Sequence, residues 1–199
     1  MNGFEKRTQE KKQRVLNTTF NRMNSEMGIA NVTIEEVAKE AGVGKTSIFN
    51  YFGSKEQLIQ EVFKQFLTEM RNAAREIMTQ HLPFEETMIA MSQNKIKYLE
   101  GVHKQFYLDL MDFYTDKNNG SFSKLMEEYT NESFSMMLDL FHQGRKEGKV
   151  DIKYSDEFLL LYFQALVEGI ASPLIYEKIL PYTPEWTEVL IKGLAPSNK

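Results

Sequence analysis

The stretch Ala41-Gly42-Val43-Gly44-Lys45-Thr46-Ser47 has the letters of a loop that cradles nucleotide phosphates. Such a loop needs Gly-x-x-x-x-Gly-Lys-Ser/Thr, preceded by a buried strand and opening a helix. Counting back from Gly44 puts the first glycine at position 39, which is Lys39. The preceding TIEEVAKEA is an amphipathic helix pattern, not a β-branched strand. Thr33 and Glu36 form a capping box, and Ile34, Val37, Ala38 and Ala41 share the inner face. A nucleotide-binding enzyme is therefore a poor reading. The same letters suit a turn between two short helices: Ala38 is small enough for a close crossing, and Gly42 makes the turn. Val43 plugs it, and Val37 meets Ile48 across the angle. That spacing predicts a helix-turn-helix over about residues 33–52 that docks on duplex DNA.

Outward from this turn the chain reads as helix almost throughout. Leu16, Phe20, Met23 and Met27 fall at i, i+4, i+7 and i+11, predicting a first helix that ends at Gly28. A third helix runs from about Lys45 to Phe52, with Ile48, Phe49 and Phe52 as its core side. Ser54 and Gln57 cap a long fourth helix reaching about Gln80. Pro83 starts a fifth helix to about Glu100, and Gly101 separates a sixth that ends near Thr115. The tract DKNNGS reads as a loop. A seventh helix spans about Ser123 to Gly148, and an eighth follows Ser155 and passes Pro173 with a kink. The last opens at Thr183-Pro184-Glu185 and ends near Gly193. Val150–Tyr154 alternates briefly and reads as a linker. The expected class is all-α, with about nine helices. Residues 1–65 are expected to form a DNA-binding domain, and 66–199 an effector-binding and dimerisation domain.

Composition narrows the function classes. The 199 residues contain no cysteine, so disulfides and thiolate metal sites are excluded. His81, His103 and His142 are too scattered for a helical metal pair, and no nucleophile–base pattern argues for an enzyme. No metal or cofactor is expected. The N-terminus lacks an apolar export region, and no run approaches a membrane span, so a cytoplasmic protein without a membrane partner is expected. The net charge of −4 hides an asymmetry: residues 1–60 carry nine Lys/Arg against seven Asp/Glu, while the remainder is acidic. A basic end on an acidic chain suits a polyanion partner for that end, or simply a solvated helix face.

The run VTIEEVAKEAGVGKTSIFNYFGSKEQLIQEVF resembles the DNA-binding domain of TetR-type (tetracycline-repressor-like) transcriptional regulators. The likeness rests on the turn, on Phe49-Asn50-Tyr51-Phe52, and on Ser54-Lys55-Glu56, and covers about residues 8–65. Beyond it the likeness is one of length and helical order, with details such as Gly144 and Gly148. One departure is Gly44, where the family usually has Ser or Thr; only a backbone N–H remains there. The resemblance implies that Lys45, Thr46 and Ser47 approach base edges. It implies further that Asn50, Tyr51 and Lys55 hold phosphates, joined by Thr33 and the Gly44 amide. Tyr51 is expected to bury its ring and keep its hydroxyl wet.

The resemblance also implies an effector cavity in the second domain. Eight of eleven methionines follow residue 60, with many aromatics. At helical spacing these are ordinarily core, yet they also suit a pliant apolar pocket. The candidates are Phe63, Phe66, Met70, Met88, Met91, Tyr98, Phe106, Tyr107, Met111, Tyr114, Met126 and Tyr129. The eighth helix is apolar over more of its circumference than one core needs. Phe158, Tyr162, Leu166 and Ile170, with Trp186, Val189 and Leu190 of the last helix, are therefore expected to form a homodimer interface. The expected protein is a ligand-responsive repressor of a palindromic operator, its effector small and apolar or amphipathic. The alternative is a DNA-binding accessory protein that answers to no small molecule.

Overall fold

The computed structural model describes residues 3–115, 120–171, 175 and 178–197, without the side chains of 114–126 and 170–171. The fold is all-α. Among the described residues the helices are α1 (Gly3–Met23), α2 (Ile34–Ala41), α3 (Lys45–Phe52), α4 (Lys55–Thr79), α5 (Phe84–Glu100), α6 (Lys104–Thr115), α7 (Gly120–Lys146), α8 (Asp156–Ala171) and α9 (Thr183–Leu194). Short 3-10 turns occupy Gly28–Asn31 and Leu180–Tyr182. The Pro173 kink and the first four residues of DKNNGS lie outside the described residues. The tract's last two, Gly120 and Ser121, begin α7.

Two compact units form. The first is Met1–Thr68 with Gly101–Ser123, and the second is Glu69–Glu100 with Lys124–Lys199. The expected division at 65/66 made no provision for residues 101–123 joining the first unit. The reason is local chemistry. The 3-10 turn leaves the Ile29 N–H unpaired, and the Asp109 carboxylate of α6 accepts it at 2.7 Å. Phe106, fully buried, lies edge-on to Phe20 at 5.3 Å, Phe63 at 5.2 Å and Phe66 at 5.1 Å. Each such ring contributes its burial plus the edge-to-face term, on the order of 0.5–1.5 kcal/mol per pair.

The first helix ends earlier than its pattern suggested. α1 stops at Met23, and Met27 is exposed, because Ser25 and the Gly28–Asn31 turn redirect the chain. The buried stripe of α1 is Val15, Thr19 and Met23, with Leu16 and Phe20 half-buried beside it. Gly28 has φ +54°, and a Cβ there would stand 2.0 Å from Asp109 Oδ2, so both conformation and space demand glycine.

In the second unit, Phe84 and Met88 of α5 pack with Met137, Leu140 and Phe141 of α7, Leu159 of α8, and Leu190 and Leu194 of α9. Gly144 permits this approach, since a Cβ would meet Val150 Cγ2 at 2.5 Å and Phe84 Cδ2 at 2.8 Å. Val150–Tyr154 is a linker whose Asp151 N–H donates to the Leu194 carbonyl at 2.8 Å.

Candidate nucleic-acid interface

The corner between α2 and α3 is built by its caps. Thr33 starts α2: its hydroxyl accepts from the Glu36 N–H at 3.3 Å and donates to the Glu36 carboxylate at 2.6 Å. That hydroxyl bond, with Arg22 behind it, holds the Glu36 carboxyl below the usual range. Gly42 ends α2 at φ +63°, a left-handed C-cap, and the Val43 N–H donates to the Ala38 carbonyl. Val37, Ala38, Val43 and Ile48 are buried beneath the corner. The stretch that resembled a phosphate loop is thus a helix corner, with the Ser47 and Ile48 amides already donated to the Gly44 carbonyl.

Arginine fixes the corner to α1. Arg22 donates to the Asn31 carbonyl at 2.9 Å and pairs with Glu36 and Glu40, while Arg14 donates to the Ala41 carbonyl at 3.1 Å. Two of the six basic residues near the N-terminus are therefore structural and not free for a polyanion.

α3 presents Lys45, Thr46, Phe49 and Asn50 outward, all exposed. Ser47 and Tyr51 stand half-buried at one side of that face, and Lys55 is half-buried in the first turn of α4. Lys45 pairs with Glu35 of α2, and the lysine's hydrogen bond lowers the Glu35 pKa. Lys12 of α1 lies 5.6 Å over the Tyr51 ring, placing a cation beside the phenol. The Ser54 hydroxyl accepts the Gln57 N–H at 3.2 Å and caps α4. Gly44 caps α3 without any side-chain bond, and a Cβ there would meet only Ser47 Oγ at 3.9 Å. Glycine is not sterically required at 44.

The expectation that Phe49 is core is corrected: it is 47% exposed, at the centre of the outer face. Helical phase could have shown this, because Ile48 fixes the inner direction and Phe49 lies 100° away.

The effector candidates do not gather in one place. Phe63, Phe66, Phe106 and Tyr107 are buried and Met111 half-buried in the first unit, where the phenylalanines pack on one another. Met70, Met91, Tyr98 and Tyr129 are half-buried and Met88 buried in the second unit. The side chains of Tyr114 and Met126 lie outside the described residues. An open groove of about 470 Å³ runs between α5 and α9, floored by Ile89, Ile96 and Ile191, and touches none of the twelve. Of the interface candidates, Phe158, Tyr162 and Val189 are exposed, and Leu166 and Trp186 half-buried. The Ile170 side chain is outside the described residues. Leu190 is 8% exposed inside its own core, because α9 turns that side toward α5. Among the described residues no three His, Asp or Glu side chains group for a metal, and no helix is long and apolar enough to cross a membrane.

The family model described as bacterial regulatory proteins, tetR family, matches residues 21–62, the segment that builds this corner. The chain belongs to the TetR family. An HTH-type transcriptional regulator of Bacillus subtilis, YhgD, is 41% identical over 64 residues, 32% of this chain and 34% of that protein. The match thus spans about a third of YhgD's length. The HTH-type transcriptional repressor KstR2 of Rhodococcus jostii is 24% identical over 139 residues, 68% of each chain. Bacillus subtilis FadR, a transcriptional regulator solved in complex with stearoyl-CoA, superposes with a TM-score of 0.70 at 14% identity. It covers 91% of this chain and 98% of that one, and it shows the shared fold. These TetR-family relatives are regulators of transcription.

Proposed function

We propose that this TetR-family chain is a ligand-responsive transcriptional repressor that binds a palindromic operator as a homodimer in the cytoplasm, where the chromosome is. The observation that carries the DNA reading is the outer face of α3, with Lys45, Thr46, Phe49 and Asn50 exposed on a helix held by a buried corner. Lys45 and Thr46 lie at the helix start, the end that reaches base edges. Phe49 offers an apolar edge suited to a thymine methyl, and Asn50 can hydrogen-bond a base or phosphate. Tyr51, Lys12, Thr33 and Lys55 surround that face as phosphate contacts, together with the Gly44 backbone. Lys45 must exchange Glu35 for DNA, which favours sites where that exchange gains a bidentate base contact.

For assembly, Tyr154, Phe158 and Tyr162 stack in a ladder with centroids 5.3 and 5.9 Å apart. Leu161 and Val189 add exposed apolar surface at 59% and 68%. A two-fold pairing of α8 and α9 would cover this surface. Repression and ligand response are supported by KstR2, which is named a repressor, and by FadR, which was solved with stearoyl-CoA.

The test is selection of bound duplexes from a random pool. A recovered site with two-fold symmetry and half-sites about 34–36 Å apart fits the dimer; recovery of no preferred sequence would overturn the operator reading and favour an accessory DNA-binding role. Linkage supplies the second arm, because an effector that weakens operator binding must itself be weakened by operator to the same factor.

A further inference from the structure

The inner face of α5 carries one residue that packing does not explain. At 100° per residue, Phe84, Met88, Met91, Lys95 and Leu99 fall in one narrow stripe. Phe84, Met88 and Leu99 are buried and Met91 is half-buried, so this stripe faces the interior of the second unit. The chain then places a lysine in the middle of it. Asn94, the preceding residue, donates to the Met70 carbonyl of α4 at 3.4 Å, which fixes the roll of α5 at this level.

Lys95 stands deep in the protein, and burial alone holds its pKa below the ordinary lysine value, with no carboxylate offsetting it. Its side chain nonetheless remains accessible to solvent. A group that is both deep and accessible lines an internal space. That space is separate from the α5–α9 groove, which lies around Ile89 and Ile96 on another side of the helix. Tyr98, one turn further, is also desolvated: burial, and then the charge of Glu69, raise its pKa and keep the phenol protonated.

Stability does not account for this lysine. Burying an ammonium without a partner costs several kcal/mol, and methionine or leucine would fill the stripe without that penalty. The missing component is an anion. We propose that Lys95 is the anion-binding residue of the effector cavity, and that the effector is an apolar molecule carrying one acidic group. The inference rests on reading the second unit as an effector sensor. The methionines around Lys95 take the apolar body, and the ammonium takes the acid. A neutral analogue leaves the charge unpaired, so the site discriminates by chemistry as well as by shape.

The test uses two dyes that differ by one sulfonate. 8-Anilinonaphthalene-1-sulfonate is the anion and N-phenyl-1-naphthylamine the neutral counterpart; both brighten in apolar cavities. The full-length wild type should bind both. Lys95→Met should weaken the sulfonate by about tenfold or more, the scale of one hydrogen-bonded charge pair, and leave the neutral dye as tight or tighter. Lys95→Arg should retain the sulfonate. A sulfonate affinity that stays within about twofold in Lys95→Met overturns the assignment. So does an equal loss of both dyes, which would mean a structural role. If neither dye binds the wild type, the sensor reading itself fails, an outcome distinct from both.

Discussion

Gly28 and Asp109 make one device, and a double-mutant cycle should show it. Asp109 is 6% exposed and accepts from the Ile29 N–H at 2.7 Å and the Gln105 amide at 2.9 Å. Hydrogen bonds to a charged group contribute about 1.5–3 kcal/mol each. Gln105 is half-buried and can turn to water, so Asp109→Ala should cost about 2–4 kcal/mol in all. Gly28→Ala forces a Cβ into left-handed backbone, which costs about 1–2 kcal/mol. It also puts that Cβ 2.0 Å from Asp109 Oδ2, so the carboxylate must leave and the Ile29 bond is lost. That variant should therefore lose about 3–4 kcal/mol. With alanine at 109 the collision is gone and the bond is lost only once. The double variant should lose roughly 2 kcal/mol less than the sum of the singles. Gln105 Cγ, 2.6 Å from the added methyl, belongs to a flexible side chain and can yield. Urea unfolding followed by far-UV circular dichroism reads each corner of the cycle. Additivity within about 0.5 kcal/mol would refute the account.

Lys55→Ala should weaken binding to all DNA sequences and shallow the salt dependence by about one phosphate contact; an unchanged salt slope with altered sequence preference would make Lys55 a base reader. Lys45→Ala should relax preference at one position per half-site, and Phe49→Ala should relax preference where thymine is favoured. A recovered site identical to that of the wild type would refute either role. Gly44→Ser adds the missing cap to α3, where space is open, and should raise stability by a few tenths of a kcal/mol. A measured loss would mean that the backbone there needs glycine. Phe158→Asp with Val189→Glu should move the sedimenting mass from twice 23.2 kDa toward 23.2 kDa while the helical signal persists. An unchanged dimer would place the interface on another face.

The corner at Ala41–Ser47 was legible from sequence because its determinants are local. A capping box, a left-handed glycine and an inner stripe act within a few residues, and these fixed α2, α3 and the start of α4 to the residue. The all-helical class followed likewise from apolar periods and caps along the chain. What the sequence left undecided depends on partners distant in the chain. Whether an aromatic at helical spacing is core depends on what stands opposite, so Phe49 came out exposed and Leu190 buried. Residues 101–123 join the first unit through Asp109 and Phe106, whose partners lie 40 to 86 residues away. The Gly28–Asn31 turn is set by that carboxylate and not by its own residues. The residue missed most completely was Lys95. A search for an apolar pocket passes over a lysine, and a helical period that tolerates one polar position in a stripe gives no warning. Only packing on every side shows that this ammonium is deep, accessible and without a counter-charge. Local chemistry decides which helices form and where they end; side chains brought together from far apart decide which of their faces are core, surface or site.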